Sequence, residues 1–438
     1  MRRFLYLTPY FAPQTQVGAL RPLKFARHLP ACGWQPVVVC DLWPSDAVDL
    51  RMCDHVPPQT PVLRTYSARA TPTWRALQSR SPRRAERRRP LAPWHERTLP
   101  AWLLEQAELV PLGEHSPDMA HAERAAWHAL EQFPDCEAVV VNADPFAASL
   151  VGARVARAAG LPLVQDFRDI WAPCDLRRPR RLGPIRWLED ELERACIEPA
   201  AHVLINTEAS LADYRAFYPD LPPSRFSLLR NAFDRDLTGH GSHPGFDRFT
   251  LLHLGNFSRF RVADPLVELL GRLVARGVPA GAVQIATTGP FGAQALQRAA
   301  ELGVADCIVR VPAVPYPATG PLMAGADVLV YVAEPGARQR IASKLYDYLG
   351  SPRPILSVAD NPESAALLEH CGGGVQAGVD DVEKMATFVA DEFRAGRQRI
   401  VARRLEGLSA ADAAARLAQV LDAVVAGRDV PYLPADRR

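Results

Sequence analysis

The chain has 438 residues, of which 48 % are apolar and 23 % charged, so it can bury two or three domain cores and is not disordered throughout. Its formal net charge of +2 excludes a nucleic-acid coat, and any electrostatic function must depend on local clusters of charge. No apolar run approaches the roughly 18 residues of a membrane-spanning helix, and the apolar run at the start is too short for a signal peptide. We therefore expect a cytoplasmic protein.

The cysteine and carboxylate patterns give no sign of a metal site. The eight cysteines form no Cys-x-x-Cys pair, and none stands beside a histidine at zinc-finger spacing. This predicts reduced, mostly buried thiols. Asp118, Asp135 and Asp144 are isolated and form no Asp-x-Asp motif. We expect neither a bound metal nor a cofactor.

The first 230 residues alternate short apolar runs with amphipathic runs. Residues 4–8 and 36–40 are β-prone, and residues 19–29 between them carry apolar side chains at helical spacing. This βαβ pattern predicts a parallel sheet. Further strands are predicted at 62–63, 137–142, 162–165 and 201–206, and further helices at 119–132, 146–159, 186–195 and 208–217.

A polar, glycine-rich stretch at residues 231–247 predicts a linker to a second domain. Strand and helix patterns then alternate again, and an alanine-rich stretch ends the chain. The strands are predicted at 249–254, 283–287, 307–311, 326–332 and 354–358, and the helices at 265–275, 291–302, 320–324, 343–349, 363–371 and 381–390. The pattern predicts two Rossmann-like domains in series.

The loop after the first strand lacks the usual motif of a dinucleotide-binding turn. A dinucleotide-binding turn reads G-x-G-x-x-G, but residues 8–18 contain only Gly18, which disfavours an NAD-dependent oxidoreductase. Gly18 lies at the start of the first helix, where unpaired N–H groups suit a phosphate. An ordinary turn would explain this glycine equally well.

Two groups of charged residues stand where such folds place ligands. Asp166, Arg168 and Asp169 follow the strand predicted at 162–165, and parallel strands bind ligands outside their carboxyl ends. A structural Arg–Asp pair is the alternative, because buried charges are costly unless they are paired or bound. Lys344 and Asp347 share one face of a predicted helix, either as part of a phosphate site or as a solvated ion pair.

Several segments, taken in order, resemble the large family of retaining, nucleotide-sugar-dependent glycosyltransferases with the GT-B fold. Residues 4–40 show its strand, proline-containing loop, glycine, a helix closed by H-L-x-x-x-G-W, and a buried strand. The resemblance continues at residues 142–152, 160–171, 229–233, 255–261 and 344–354, the last reading KLYDYLGSPRP where the family reads K-L-x-E-Y-L.

The resemblance implies an α/β protein of GT-B architecture, with two Rossmann-like parallel-sheet domains facing across a cleft. Residues 1–230 would bind the acceptor and 248–398 the nucleotide-sugar donor, while 399–438 would carry a helix back to the first domain. The implied activity is retaining, metal-independent transfer of a sugar to a glycan or lipid-linked acceptor in cell-surface or exopolysaccharide biosynthesis.

The resemblance also implies donor-binding residues in the second domain. The family's basic pair, G-R-x-x-x-x-K, falls on Gly255, Asn256 and Arg261, with Arg259 nearby. One of its two cations is therefore kept as arginine, whose fork suits a diphosphate.

The family's glutamate pair falls on Gln339 and Asp347, and Lys344 becomes a phosphate-binding candidate. On the acceptor side, the sequence D-F-R-D-I-W carries Arg168 where many relatives have histidine. We expect Asp169 and Arg168, with Asp166, to be catalytic, and Gly18 to contact the donor.

An arginine-rich segment interrupts the first domain. The stretch from Arg80 to Arg97 contains seven arginines and Trp94, and Trp74 and Trp102 lie on either side of it. A solvated, disordered loop is one interpretation. A patch that binds anionic lipid at the inner face of the cytoplasmic membrane is another. Nucleic-acid binding is disfavoured because no recognised motif accompanies the charge.

Two other function classes remain open. Gln339 lacks the charge of the family's first glutamate and Asn256 replaces its arginine, which would fit a non-catalytic GT-B scaffold or regulator. A sugar-nucleotide epimerase with the same fold would need carboxylates and histidines in one cleft, and the scattered histidines give that reading little support.

Overall fold

The computed structural model describes residues 1–42, 48–66, 118–143, 145–241, 245–257 and 263–431. Within these ranges the chain forms two compact units, each built on one sheet. Unit 1 comprises Met1–Arg230 with Ala410–Arg438, and unit 2 comprises Asn231–Ser409. The arginine-rich segment, Asp144, Arg259 and Arg261 lie outside the described residues.

Unit 1 contains a seven-stranded sheet in which every pair of neighbours is parallel, in the order β3-β2-β1-β4-β5-β6-β7. Its strands are β1 Arg2–Leu7, β2 Trp34–Leu42, β3 Val62–Tyr66, β4 Cys136–Ala143, β5 Leu163–Phe167, β6 His202–Ile205 and β7 Phe226–Leu228. The connecting helices are α1 Leu20–His28, α2 Met119–Gln132, α3 Ala147–Ala159, α4 Gly183–Ile197 and α5 Glu208–Phe217.

Helices on both faces explain why the central strands read as continuous apolar runs. Phe4, Leu5 and Val139 to Val141 in β1 and β4 are fully buried. Helix α3 ends where Gly160 takes a left-handed conformation with φ of 67°, which glycine adopts at little cost.

Unit 2 contains a six-stranded parallel sheet in the order β10-β9-β8-β11-β12-β13. Its strands are β8 Phe249–His253, β9 Val283–Thr287, β10 Ile308–Arg310, β11 Val328–Val332, β12 Ile355–Val358 and β13 Gly374–Ala377. Its helices are α6 Arg235–Thr238, α7 Asp264–Ala275, α8 Ala293–Glu301, α9 Thr319–Gly325, α10 Ser343–Gly350, α11 Pro362–Cys371 and α12 Val382–Ala395. The prediction of two parallel-sheet α/β domains is confirmed.

The segment predicted as a linker begins as a folded part of unit 2. The Asp234 carboxylate accepts the Leu237 N–H at 3.1 Å and caps the short helix α6. The Phe233 N–H donates to the Leu408 carbonyl at 3.1 Å. These contacts tie residues 231–239 to unit 2, so the change of unit falls at Arg230.

The chain returns to unit 1 later than predicted. Residues 399–409 belong to unit 2, and the return begins with helix α13, Ala410–Val425. Arg403 holds the earlier segment because its guanidinium donates to the Gly372 and Gly373 carbonyls at 3.1 and 3.0 Å. In unit 1, Asp422 of α13 accepts the Trp34 indole N–H at 3.1 Å.

In each sheet the order of strands reverses at one point. The reversal lies between β1 and β4 in unit 1 and between β8 and β11 in unit 2. Ligands of open parallel sheets bind outside the carboxyl ends of the strands at such a point. The loops that follow these strands are therefore the places to look for a site.

Two further predictions from the sequence concern the cysteines and membrane-spanning helices. The eight cysteines are free thiols, and six of them are buried. Among the described residues, no helix is both long enough and apolar enough to cross a bilayer.

Candidate functional site

A buried ion pair lies under the reversal point of unit 1. The Arg21 guanidinium, from the first turn of α1, donates to both oxygens of Asp166 at 2.8 Å. The Asn142 amide, at the end of β4, donates to the same carboxylate at 2.8 Å. The Arg21 and Asp166 side chains are only 5 % and 1 % exposed. The Asp166 oxygens are thus engaged by protein donors from two other elements.

Arg21 extends this network to the last two residues of the first segment of unit 1. Its remaining donors reach the carbonyl oxygens of Leu229 and Arg230 at 2.9 Å. The pair is the structural Arg–Asp interaction that the sequence left open, with Arg21 as the partner. Asp166 therefore organises the loops around it, and its catalytic role stays a prediction.

Arg168 and Asp169 lie closer to the surface. The Arg168 Nε atom is 3.4 Å from the Asp169 carboxylate, and the side chains are 13 % and 40 % exposed. The Arg168 peptide is fixed on both sides, because its N–H donates to the Ala143 carbonyl at 3.0 Å and its carbonyl accepts the Asn206 amide at 3.1 Å. Asp169 is therefore the accessible carboxylate of the predicted trio.

Gly18 belongs to this same cluster. A Cβ atom on Gly18 would lie 2.3 Å from the Arg168 guanidinium and 2.5 Å from the Tyr10 ring. Both are closer than real Cβ contacts come, so a glycine is needed for these side chains to sit where they do. The structure places this predicted donor-binding residue in unit 1, whereas the other predicted donor-binding residues belong to unit 2.

Lys344 and Gly255 come together at the carboxyl end of β8. The Lys344 ammonium donates to the Leu254 carbonyl at 2.7 Å. Gly255 has φ of 120°, and a Cβ atom there would lie 2.6 Å from the Lys344 nitrogen. The Gly255 N–H donates to the Thr288 hydroxyl at 2.9 Å. The turn after β8 thus brings a cation against bare backbone at the reversal point of unit 2.

The next loop packs onto this turn. A Cβ atom on Gly289 would lie 2.4 Å from the Gly255 carbonyl and 2.5 Å from the Asn256 amide oxygen. Gly289 is therefore required for the loops after β8 and β9 to meet. Arg259 and Arg261, which follow Asn256, stay predictions because they lie outside the described residues.

Asp347 is placed one turn beyond Lys344 on α10. Its carboxylate accepts the Tyr316 phenol at 2.9 Å, and burial raises the pKa of Tyr316 well above its usual value. Asp347 also lines a cavity of about 290 Å³ formed by α6, α9 and the end of α10, with Thr238, His240 and Met323 in its wall. A carboxylate at the edge of such a cavity can accept hydrogen bonds from hydroxyl groups.

Gln339 lies in the loop after β11 and is only 2 % exposed. The Asn361 amide holds this loop by donating to the carbonyls of Ala337, Arg338 and Arg340 at 3.0 to 3.2 Å. Asn361 also caps the N-terminus of α11. The position of Gln339 is therefore fixed by backbone contacts of its neighbours.

Sequence reasoning missed the residues that hold these loops. Arg21, Asn142, Tyr316 and Asn361 each make a buried or partly buried contact that positions a predicted site residue or its loop. Asn361 had a usable signal, because an asparagine before a proline after a strand is typical of a helix N-cap. Arg21 had none, since its partner lies 145 residues away.

No family model and no curated protein sequence matches the chain. Solved structures do match it. Anabaena Alr3699/HepE, in complex with UDP and glucose, aligns at 15 % identity with a TM-score of 0.56 over 98 % of this chain and 96 % of that one. WaaG, a glycosyltransferase involved in lipopolysaccharide biosynthesis, aligns at 14 % identity and a TM-score of 0.52 over 95 % and 94 %.

A UDP-N-acetylglucosamine 2-epimerase is also similar, at 12 % identity and a TM-score of 0.52 over 98 % of this chain and 97 % of that chain. Likeness at this level shows the fold. The two parallel sheets of seven and six strands define a protein of the GT-B fold. The resemblance that the sequence indicated is thus confirmed for the fold.

Proposed function

We propose that the chain is a glycosyltransferase that moves a sugar from a nucleotide-sugar donor to a glycan or lipid-linked acceptor. The observation that carries this proposal is the placement of Lys344 against Gly255 at the carboxyl end of β8. A cation in the first turn of a helix, beside a glycine at the reversal point of a parallel sheet, suits a diphosphate. That HepE was solved with UDP and glucose supports this ligand class.

The donor's charge would be met by cations from unit 2. Transfer breaks the bond between the anomeric carbon and the diphosphate oxygen, and the diphosphate departs with the electron pair. Lys344 and Arg261 would stabilise that charge, which is the electrostatic form of catalysis. Asp347 would accept hydrogen bonds from the ribose hydroxyls. We propose that this chemistry proceeds with retention of configuration and without a dedicated metal ion.

The acceptor would bind to unit 1. Asp169 is the accessible carboxylate and Arg168 a cation 3.4 Å from it. The acceptor hydroxyl oxygen bonds to the anomeric carbon, and its proton passes to the Asp169 carboxylate. Arg168 would bind a phosphate of a lipid-linked acceptor.

A lipid-linked acceptor would place the enzyme at a membrane. We propose a cytoplasmic protein that associates with the inner face of the cytoplasmic membrane through Arg80–Arg97, and that acts in cell-surface polysaccharide biosynthesis. The arginines and flanking tryptophans of that segment are of the kind that bind anionic lipid surfaces.

A non-catalytic scaffold is the second candidate. Gln339, buried where the family has a glutamate, favours it. Release of nucleoside diphosphate by the purified chain, in the presence of a lipid-diphosphate acceptor, separates the two. We expect release that requires acceptor, and we expect Asp169→Asn to lower turnover far more than donor affinity. Conversion of the free donor without acceptor would instead indicate an epimerase, and no turnover of any nucleotide sugar would favour the scaffold.

A further inference from the structure

The buried carboxylate of Glu193 holds the segment that follows Asp169 through hydrogen bonds. Glu193 of α4 is fully buried and accepts three hydrogen bonds. One oxygen accepts the Ala172 N–H at 3.1 Å and the Tyr214 hydroxyl at 2.6 Å. The other accepts the Tyr218 hydroxyl at 2.7 Å. A carboxylate is placed in the core only where such donors converge on it.

Tyr214 links this carboxylate to a second peptide group. Its phenol oxygen accepts the Trp171 N–H at 3.0 Å while its proton goes to Glu193. The backbone N–H groups of Trp171 and Ala172 therefore donate to side chains of α5 and α4, and not to a neighbouring strand. Their side chains are buried too, and the Trp171 ring stacks on Phe146 with ring centres 4.6 Å apart.

Asp169 lies between two fixed points. On its N-terminal side the Arg168 peptide bonds to Ala143 and Asn206. On its C-terminal side the Trp171 and Ala172 peptides bond to Tyr214 and Glu193. Between them the Asp169 side chain reaches solvent and is 40 % exposed.

We infer that Glu193 and Tyr214 form a positioning pair that sets the direction of the Asp169 carboxylate. The inference rests on the proposed function, since it assigns the pair to the acceptor side of that reaction. Neither residue need touch a substrate. Each acts through the backbone of residues 171–172, and a displacement of about 1 Å at a reacting group can lower a rate on the order of a hundredfold.

Tyr218 supplies a matched control. Tyr214→Phe and Tyr218→Phe each delete one phenol that donates to the same carboxylate. Within the described part of the chain, only Tyr214 also accepts a backbone N–H of the loop. A purely structural role predicts that both variants lower the melting temperature and spare turnover alike. A positioning role predicts that Tyr214→Phe lowers kcat by on the order of tenfold or more at unchanged donor KM, while Tyr218→Phe does not.

The test measures kcat, donor KM and amide hydrogen exchange for both variants, alone and combined with Asp169→Asn. We expect faster exchange at residues 169–172 in Tyr214→Phe only, and no further loss of kcat when Tyr214→Phe is added to Asp169→Asn. Equal exchange in the two tyrosine variants, or fully additive losses of kcat, would overturn the inference. If Asp169→Asn itself is fully active, the proposed catalytic role of Asp169 is wrong. The exchange result still shows whether Tyr214 holds the backbone of residues 169–172 in place.

Glu193 gives an independent check by substitution. In Glu193→Gln the amide oxygen can still accept from Ala172 and Tyr214, and the amide N–H can donate to Tyr218. Glu193→Ala removes all three contacts. We expect the kcat of Glu193→Gln to stay within about twofold of the parent value. We expect the kcat of Glu193→Ala to fall as far as that of Tyr214→Phe. Loss of kcat in both variants, or in neither, would contradict a role through these hydrogen bonds.

Discussion

Arg21 and Asp166, 145 residues apart in sequence, form a two-bond ion pair that is almost completely buried. Removing one member leaves the other charge in the core without its partner, which typically costs about 3–5 kcal/mol. We expect Asp166→Ala to lower the free energy of unfolding of unit 1 by about that amount. Urea denaturation followed by circular dichroism measures it.

The control is an exposed pair in the same unit. Arg194 and Glu198 are neighbours on one helix face and are 34 % and 52 % exposed. Such pairs contribute about 0–1 kcal/mol. Glu198→Ala should therefore leave the urea midpoint nearly unchanged. Similar midpoints for the two variants would show that burial does not make the Arg21–Asp166 pair important.

Glu193 predicts a pH dependence of stability. Burial raises its pKa to about 7, above the ordinary glutamate value of 4.5. The folded state therefore holds a proton that the unfolded state releases, so the group's contribution to stability is full below pH 4.5 and is lost as the pH rises through 7. The titratable and charged groups that interact with this carboxylate include Tyr214, Tyr218, Asp190, Cys196, Glu189 and Arg178.

We expect Glu193→Gln to remove this dependence. From pH 4.5 to pH 8 the parent should lose about 3 kcal/mol of unfolding free energy relative to the variant. Urea unfolding of both proteins at several pH values, compared pair by pair, isolates this one group from the others that titrate. Parallel curves for parent and variant would mean that Glu193 has an ordinary pKa in the folded chain.

Gly18 predicts a steric effect on the acceptor side. In Gly18→Ala the new methyl group would overlap the Arg168 guanidinium and the Tyr10 ring. One of these side chains must move, and because Arg168 is a proposed acceptor-side residue we expect turnover to fall. Gly183→Ala is the matched control, because a Cβ atom there meets nothing within 4 Å. A fully active Gly18→Ala variant would show that turnover does not require a glycine at position 18.

The arginine-rich segment predicts membrane binding that salt weakens. Surface charges are screened over about 8–10 Å at physiological ionic strength. The parent chain should float with vesicles that contain anionic phospholipid and should sink at high salt. A variant with serine at Arg83, Arg84, Arg87, Arg88 and Arg89 should not float. Equal flotation of the two proteins, or none by either, would contradict membrane binding by this segment and favour the solvated-loop interpretation.

Apolar periodicity predicts the bounds of the longer, amphipathic elements better than those of short edge strands. Helices 119–132 and 208–217 and strand 283–287 were predicted with the bounds observed, since each has a clear apolar period and a polar boundary. The strands Phe226–Leu228 and Gly374–Ala377 were missed because three or four residues at a sheet edge are too short to show a period.

The site divides in the same way. The positions of Asp169 after a strand and of Lys344 at the start of a helix could be predicted, while their roles stay predictions. The contacts of Arg21 and Glu193 could not be predicted, because these are charged residues whose burial depends on partners 145 and 21 residues away in the sequence. Apolar periodicity indicates where a helix faces the core, but it does not identify which charge will be paired there.

In the proposed function, the turn after β8 binds the diphosphate of a nucleotide-sugar donor. The chain has three lysines, and Lys384 is exposed on α12, so it supplies a control of the same residue type. The decisive measurement is a calorimetric titration of UDP, and then of other nucleoside diphosphates, into the parent, Lys344→Ala and Lys384→Ala proteins.

We expect one of these diphosphates to bind the parent and Lys384→Ala with equal affinity. It should bind Lys344→Ala more weakly by about 1.5–3 kcal/mol, the contribution of a hydrogen bond to a charged group. Absence of binding by every nucleoside diphosphate, or equal binding by all three proteins, would contradict a donor diphosphate site at this turn.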